Sequence, residues 1–235
     1  MRQITKPGPF PWLSIFTGII GFALQSWLFS SRESSGLLPV NHIANTLTFL
    51  LFSLTLAGCF LLLRKSKPHT RYETQFPRSV LAGIGSFVGA LALVYSAFTQ
   101  ERVDTARIVL PLLGIIAACA LLFRGYCRIA GLRPHFLFSC AVIAYLILWL
   151  VVRCREWCIQ PQLQYQVFQI FFAAFLLLTA YYRVESELDV GSCRRYIFFS
   201  QATLFCCCVC IPCENSLFYL LTAIWVAADC CTLRR

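Results

Sequence analysis

Long apolar runs alternate with short polar stretches along the whole chain. Each run is apolar on all sides rather than at every second position, which is typical of helices and not of barrel strands. Their lengths are close to the roughly 17–25 residues that a helix needs to cross a bilayer. The eight runs are Phe10–Ser30, His42–Leu63, Val80–Thr99, Ile108–Phe123, Phe136–Val152, Tyr165–Tyr182, Tyr196–Ile211 and Leu217–Leu233.

The pattern predicts an all-α fold, a polytopic transmembrane bundle of eight spans in four hairpins. Because the connecting stretches are short, we expect residues 1–235 to form a single integral membrane domain. The first run is as long as a full span and has no small-residue cleavage site after it, which predicts a retained helix rather than a signal peptide. The stretch from Arg64 to Ser79 is basic and contains Pro68 and Pro77, which predicts a solvated loop.

The composition supports a membrane protein whose main partner is the lipid bilayer. Hydrophobic residues make up 59% of the chain and charged residues 13%, against about 25% charged in soluble domains. This balance excludes an ordinary soluble enzyme, a disordered chain and a secreted disulfide scaffold. The net charge of +10 lies between apolar runs and not on a face with stacking aromatic residues, so no nucleic acid is expected as a partner.

The distribution of basic residues predicts the topology. Fifteen of the 20 Lys and Arg residues lie in the two tails and in the second, fourth and sixth connections. Basic residues accumulate on the cytoplasmic side of membrane proteins. We therefore expect both termini to be cytoplasmic.

The third run contains a stripe of small residues. Gly85 and Gly89 form a GxxxG pair, a pattern that lets two helices approach closely in lipid. The stripe predicts a helix-packing face, either inside the bundle or between two copies in a homodimer.

Asp229 is the one carboxylate well inside an apolar run. A charge at that depth is costly, so such residues often contact a proton, a cation or a substrate. Asp229 also lies about one turn from the predicted cytoplasmic end. The alternative is that Asp229 is protonated or reaches Arg234 or Arg235.

A second polar group lies in the predicted outer halves of the helices. These side chains are candidates to line a ligand pocket, or else they are ordinary interfacial residues that cap helix ends. The four candidates are Gln25, His42, Asn45 and Gln169.

Patterns of catalysis and cofactor binding are missing from the sequence. There is no phosphate-binding loop, no HExxH and no pair of carboxylates at one depth. The cysteines from Cys206 to Cys213 point in several directions on a helix and have no histidine nearby, which favours apolar filler over a metal site. We expect no enzyme activity, no metal and no cofactor.

The stretch from Gly36 to His42 reads GLLPVNH. It resembles a signature of uncharacterised eight-span membrane proteins of gut Firmicutes, and the layout of short hairpins and basic inner connections is similar as well. The resemblance implies a bacterial plasma membrane location, and it draws attention to His42 without giving it a role.

Two functions are compatible with these features. The first is the binding or transport of a small solute within the bundle, which the compact size and the polar outer halves favour. The second is a non-transporting accessory or sensory protein that acts through a partner membrane protein.

Overall fold

The part of the chain that the computed structural model describes is helical throughout, with short connections. It covers residues 10–31, 42–64, 72–99, 106–159, 166–191, 193–213 and 215–233. The helices are α1 (Phe10–Ser30), α2 (Ile43–Arg64), α3 (Tyr72–Gln75), α4 (Val80–Phe98), α5 (Ala106–Ala130), α6 (Phe136–Ile159), α7 (Val167–Glu187), α8 (Cys193–Cys210) and α9 (Ser216–Cys231).

Six of these helices, α1, α2 and α4 to α7, are long and apolar enough to cross a membrane. Many of their large apolar side chains are exposed, among them Phe16, Leu50 and Leu91, and this is the surface that lipid would cover. The helix α9 is apolar but has only 16 residues. The prediction of an all-helical bundle suited to a membrane is confirmed.

Several helices extend beyond the predicted runs and include basic residues, and α5 and α7 do so with buried ones. The prediction ended these two runs at Phe123 and Tyr182, whereas α5 continues to Ala130 and α7 to Glu187. The sequence analysis was therefore wrong to place Arg124, Arg128 and Arg183 in the connections between helices, since all three are buried helical residues.

The predicted solvated loop before α4 is also corrected in its second half. Residues 65–71 lie outside the described part of the chain, but Tyr72 begins the short helix α3. Tyr72 and Phe76 are buried because their rings pack against each other, with centroids 5.1 Å apart, and Phe76 packs against Tyr196.

Local signals fix the junction between α4 and α5. Ser79 caps α4, because its hydroxyl oxygen accepts a hydrogen bond from the backbone N–H of Ala82 at 3.3 Å. Gly131 follows α5 with a φ of +77°, a conformation that glycine adopts without a steric penalty. The backbone N–H of Ser79 donates to the carbonyl of Arg128 at 3.1 Å, which joins the start of α4 to the end of α5.

Six of the helices form a closed ring. Helix α8 packs on α9, α9 on α4, α4 on α5, α5 on α6, α6 on α7, and α7 again on α8. The hairpin of α1 and α2 lies outside the ring, against α8. Helix α8 is therefore enclosed by protein on two sides, which explains why it is mostly buried although Arg194 and Arg195 are in its first turn.

The small residues of α4 lie inside this ring. A Cβ atom added to Gly85 would be 2.5 Å from the Cβ of Ala228, and one added to Gly89 would be 2.6 Å from the Trp225 ring. Both glycines therefore allow α4 and α9 to approach closely. The stripe is occupied within one chain and does not present a free face to a second copy.

Candidate functional site

A cluster of five buried charged residues lies at one end of the ring. Asp229 of α9 is its centre, and only 2% of its surface is exposed. The Nη2 group of Arg124 donates a hydrogen bond to Asp229 Oδ2 at 3.1 Å, and Arg183 Nη1 lies 3.8 Å from the same oxygen. Tyr196 also donates its hydroxyl hydrogen to Oδ2, at 3.3 Å.

Glu187 and Arg128 complete the charged cluster. Arg183 Nε donates to Glu187 Oε1 at 3.4 Å, and Arg124 Nε lies 4.0 Å from that oxygen. Arg128 donates through Nη2 to the hydroxyl of Thr232 at 3.0 Å. Three guanidinium groups thus face two carboxylates within the cluster.

The charged side chains meet across the interior of the ring. Arg124 belongs to α5, Arg183 to α7 and Asp229 to α9, and these three helices are not neighbours in the ring. The backbones of α5, α7 and α9 are separated by the helices between them in the ring. The long arginine side chains therefore bridge the space between these three helices. The ion pairs therefore close one end of the ring.

Helix α3 and Phe76 cover the charged cluster. The guanidinium carbon of Arg183 lies 3.6 Å from the centroid of the Phe76 ring, and that of Arg128 lies 5.2 Å from it. Stacking of this kind stabilises a guanidinium group away from water. The cover is held by Asp189, which accepts a hydrogen bond from the backbone N–H of Tyr72 at 2.6 Å and pairs with Arg133 at 2.8 Å.

A small cavity opens beside Asp229 on the inner side of this cover. Its volume is about 10 Å³, which is close to the space that one water molecule occupies. Its lining joins charged, hydroxyl and apolar side chains from α5, α7, α8 and α9. The lining residues are Arg124, Leu176, Thr179, Ala180, Arg183, Tyr196, Trp225, Val226 and Asp229.

Several buried polar atoms near the cavity lack a hydrogen-bond partner. Within the described residues, this holds for Arg183 Nη1 and Nη2, for Asp229 Oδ1 and for Trp225 Nε1. The buried hydroxyl of Thr222 also lacks a hydrogen-bond partner within the described residues. Thr222, Trp225 and Asp229 lie three and four residues apart on α9 and therefore share one face of that helix. Buried polar atoms are rarely left without a partner, so this face is suited to a polar ligand or water.

The other half of the ring interior is filled by an aromatic cluster. Trp149 of α6 packs on Phe218 of α9, with ring centroids 5.3 Å apart, and on Phe172 of α7 at 6.3 Å. Phe172 in turn contacts Tyr219 at 5.0 Å. These aromatic side chains fill the interior of the helix ring at the end opposite to the charged cluster.

The structure does not bring the predicted outer residues into the cavity. Gln25 is buried and donates to the hydroxyl of Thr48 at 3.5 Å. His42 accepts from the backbone N–H of Ala44 at 3.2 Å and packs against Trp27. Asn45 and Gln169 are half-buried on α2 and α7. The contacts of Gln25 and His42 are those of residues that join α1 to α2.

The structure changes the interpretation of Asp229 and adds residues to its site. Its partners are Arg124 and Arg183, whereas Arg234 and Arg235 lie outside the described residues. The spacing of these partners in the sequence indicates a shared polar face, which the assignment of the arginines to connections did not take into account. Arg124 and Arg128, like Arg183 and Glu187, are four residues apart and therefore share a helix face.

Cysteines form no metal site in the described part of the chain. Cys206, Cys207 and Cys210 are buried in α8, among apolar neighbours. No group of three or more His, Cys, Asp or Glu residues in the described ranges is arranged to hold a metal ion.

Comparisons with known proteins show no match: no family model, no curated protein and no solved structure is significantly similar to this chain. The charged cluster and its cavity are therefore the basis for a function.

Proposed function

We propose that this chain is an eight-span membrane protein that binds a small solute inside the ring and passes it across the membrane. Both termini are cytoplasmic in this proposal, so the charged cluster faces the cytoplasm and the aromatic cluster faces outward. The bias of basic residues supports this orientation. The resemblance of the GLLPVNH stretch to gut Firmicutes proteins supports a bacterial plasma membrane.

The observation that carries the proposal is the cavity beside Asp229, with charged side chains crossing the ring next to it. Ionisable residues within membrane segments face the bundle interior and often mark solute pathways. The α9 face with Thr222 and Trp225 continues from the cavity toward the middle of the helix. Because both ends of the interior are filled, the proposal requires the pathway to be closed in this structure.

A role as an accessory or sensory protein for a partner has less support. The surface that was best suited to a partner helix was the small-residue face of α4. Gly85 and Gly89 are instead packed against α9. The proposal that the protein is not an enzyme rests, as before, on the missing catalytic patterns.

Flux into liposomes that contain the purified protein tests the transport proposal. The solutes are sodium chloride, sodium nitrate, glycine, urea and glycerol, each followed by light scattering after an osmotic step. We expect at least one of them to enter faster than into liposomes without protein. Ala180→Trp, which fills the cavity, is expected to abolish that flux, and Ala180→Leu to reduce it.

The neighbouring substitution Tyr181→Trp is the matched control, because Tyr181 is 49% exposed on the outer surface of α7. It adds the same side chain to the same helix without reaching the cavity, so flux is expected to continue. Equal flux in the Ala180 variants and the wild type, or no flux for any solute, would contradict the proposal.

A further inference from the structure

We propose that the charged cluster binds a small monovalent anion such as chloride. This inference rests on the proposed solute-binding ring and names the chemical class of the ligand. It starts from the imbalance of charge in the cluster. Arg124, Arg128 and Arg183 are each at most 3% exposed, and within the described residues the carboxylates of the cluster are those of Asp229 and Glu187.

The cluster therefore carries an excess of one positive charge. Arginine does not lose its proton in proteins, so the excess is not removed by neutralising a guanidinium group. A buried charge without a partner is strongly unfavourable. Stacking on Phe76 helps to hold Arg183 in place, but it supplies no negative charge. An anion in the cavity would balance the cluster.

The donors for an anion are already in place. Arg183 lines the cavity, and neither of its terminal nitrogens has a hydrogen-bond acceptor within the described ranges. Arg124 also lines the cavity, and its Nε has no acceptor at hydrogen-bond distance within the described residues. These N–H groups belong to two helices, α5 and α7, and they converge on one space.

Charge selects the class of anion. A cavity of about 10 Å³ favours a small ion over a large organic anion. The two negative charges of a sulfate ion exceed the excess of one, whereas a chloride ion carries a single charge.

A cation is a weaker candidate for the same space. Asp229 Oδ1 and Glu187 Oε2 are buried and lack a hydrogen-bond partner in the described chain, so each oxygen would attract a cation. The three guanidinium groups lie around the same two carboxylates, however, and their repulsion outweighs that attraction.

Chloride binding to the purified full chain in lipid nanodiscs tests this inference. The probe is radioactive chloride, with sodium gluconate keeping the ionic strength constant because gluconate is too large for the cavity. We expect saturable binding of about one chloride ion per chain, since the cavity has room for about one such particle. We also expect the unfolding temperature to rise with chloride concentration, because the ion binds only the folded state.

Arg183→Gln removes both the excess charge and the donors. We expect it to weaken chloride binding by at least about tenfold, which is the size of effect that loss of a charged hydrogen bond produces. Arg128→Gln removes the excess charge without touching the cavity lining, and it gives a second test if Arg183→Gln does not fold. Arg78→Gln is the control, because Arg78 is exposed at the same end of the bundle and donates to the carbonyl of Ile129.

Chloride binding that is lost in Arg183→Gln or Arg128→Gln and kept in Arg78→Gln would support the anion site. Equal unfolding temperatures in chloride and gluconate, or equal binding in all three variants, would overturn it. The transport proposal is judged separately, by flux in liposomes. Chloride binding without any solute flux would support the anion site and contradict transport. Solute flux without chloride binding would support transport and contradict the anion site.

Discussion

Replacing Asp229 by Asn should destabilise the folded protein by about 3–5 kcal/mol, the cost of removing one partner from a buried ion pair. The carboxylate oxygen Oδ2 accepts from Arg124 at 3.1 Å and lies 3.8 Å from Arg183. An amide in its place leaves Glu187 as the one carboxylate of the cluster facing its three buried guanidinium groups. Reversible unfolding in mixed detergent micelles, followed by circular dichroism, measures the change.

Asp189→Asn is the matched control for this change. Asp189 also pairs with an arginine, Arg133, but both side chains are more than a third exposed. Exposed pairs contribute roughly 0–1 kcal/mol, so a small effect is expected. If Asp229→Asn and Asp189→Asn changed stability by the same small amount, Asp229 would not be paired inside the ring.

Combining Asp229→Asn with Arg124→Gln should cost less than the sum of the two single changes, because the second removes a charge that the first leaves unpaired. Chloride should also stabilise Asp229→Asn more than the wild type, since the excess of positive charge is larger in the variant.

The second large effect is expected at Trp149, in the aromatic cluster. Trp149 is 2% exposed and packs against Trp157, Phe172 and Phe218. Trp149→Ala leaves a cavity among these rings, and substitutions of this kind typically cost about 3–5 kcal/mol. The same unfolding assay measures the loss. The variant should also let solutes leak faster into the liposomes, because this end of the ring is no longer filled.

Trp12→Ala controls for the loss of a tryptophan as such. Trp12 is 55% exposed on α1, outside the ring, so both stability and solute flux should stay close to the wild type. A Trp149→Ala variant as stable as Trp12→Ala would show that the aromatic cluster is not packed as described.

The sequence predicted where several helices begin, because apolar runs and caps are local signals. The starts of α1, α4 and α6 at Phe10, Val80 and Phe136 agree with the prediction. The ends of α5 and α7 were wrong for a physical reason. Arg124 and Arg183 follow apolar runs directly, and an arginine in that position looks like a solvated residue until its partner on another helix is known.

The candidate site was predicted only in part. Asp229 stood out because a carboxylate in an apolar run is costly. Its partners on α5 and α7 depend on which helices meet across the ring, and no local pattern specifies that arrangement. Charged residues four positions apart indicated which helix faces are polar, but they did not indicate which of those faces contact each other.

The most direct test of the account is whether α8 and α9 cross the membrane, because both helices are needed to close the ring around Asp229. A reporter joined after Cys213, between the two helices, distinguishes the cases. Alkaline phosphatase at this position should be active, and green fluorescent protein dark, if the connection lies outside. A fluorescent fusion after Cys213, together with a fluorescent fusion after Arg235, would place both positions in the cytoplasm and contradict an eight-span ring.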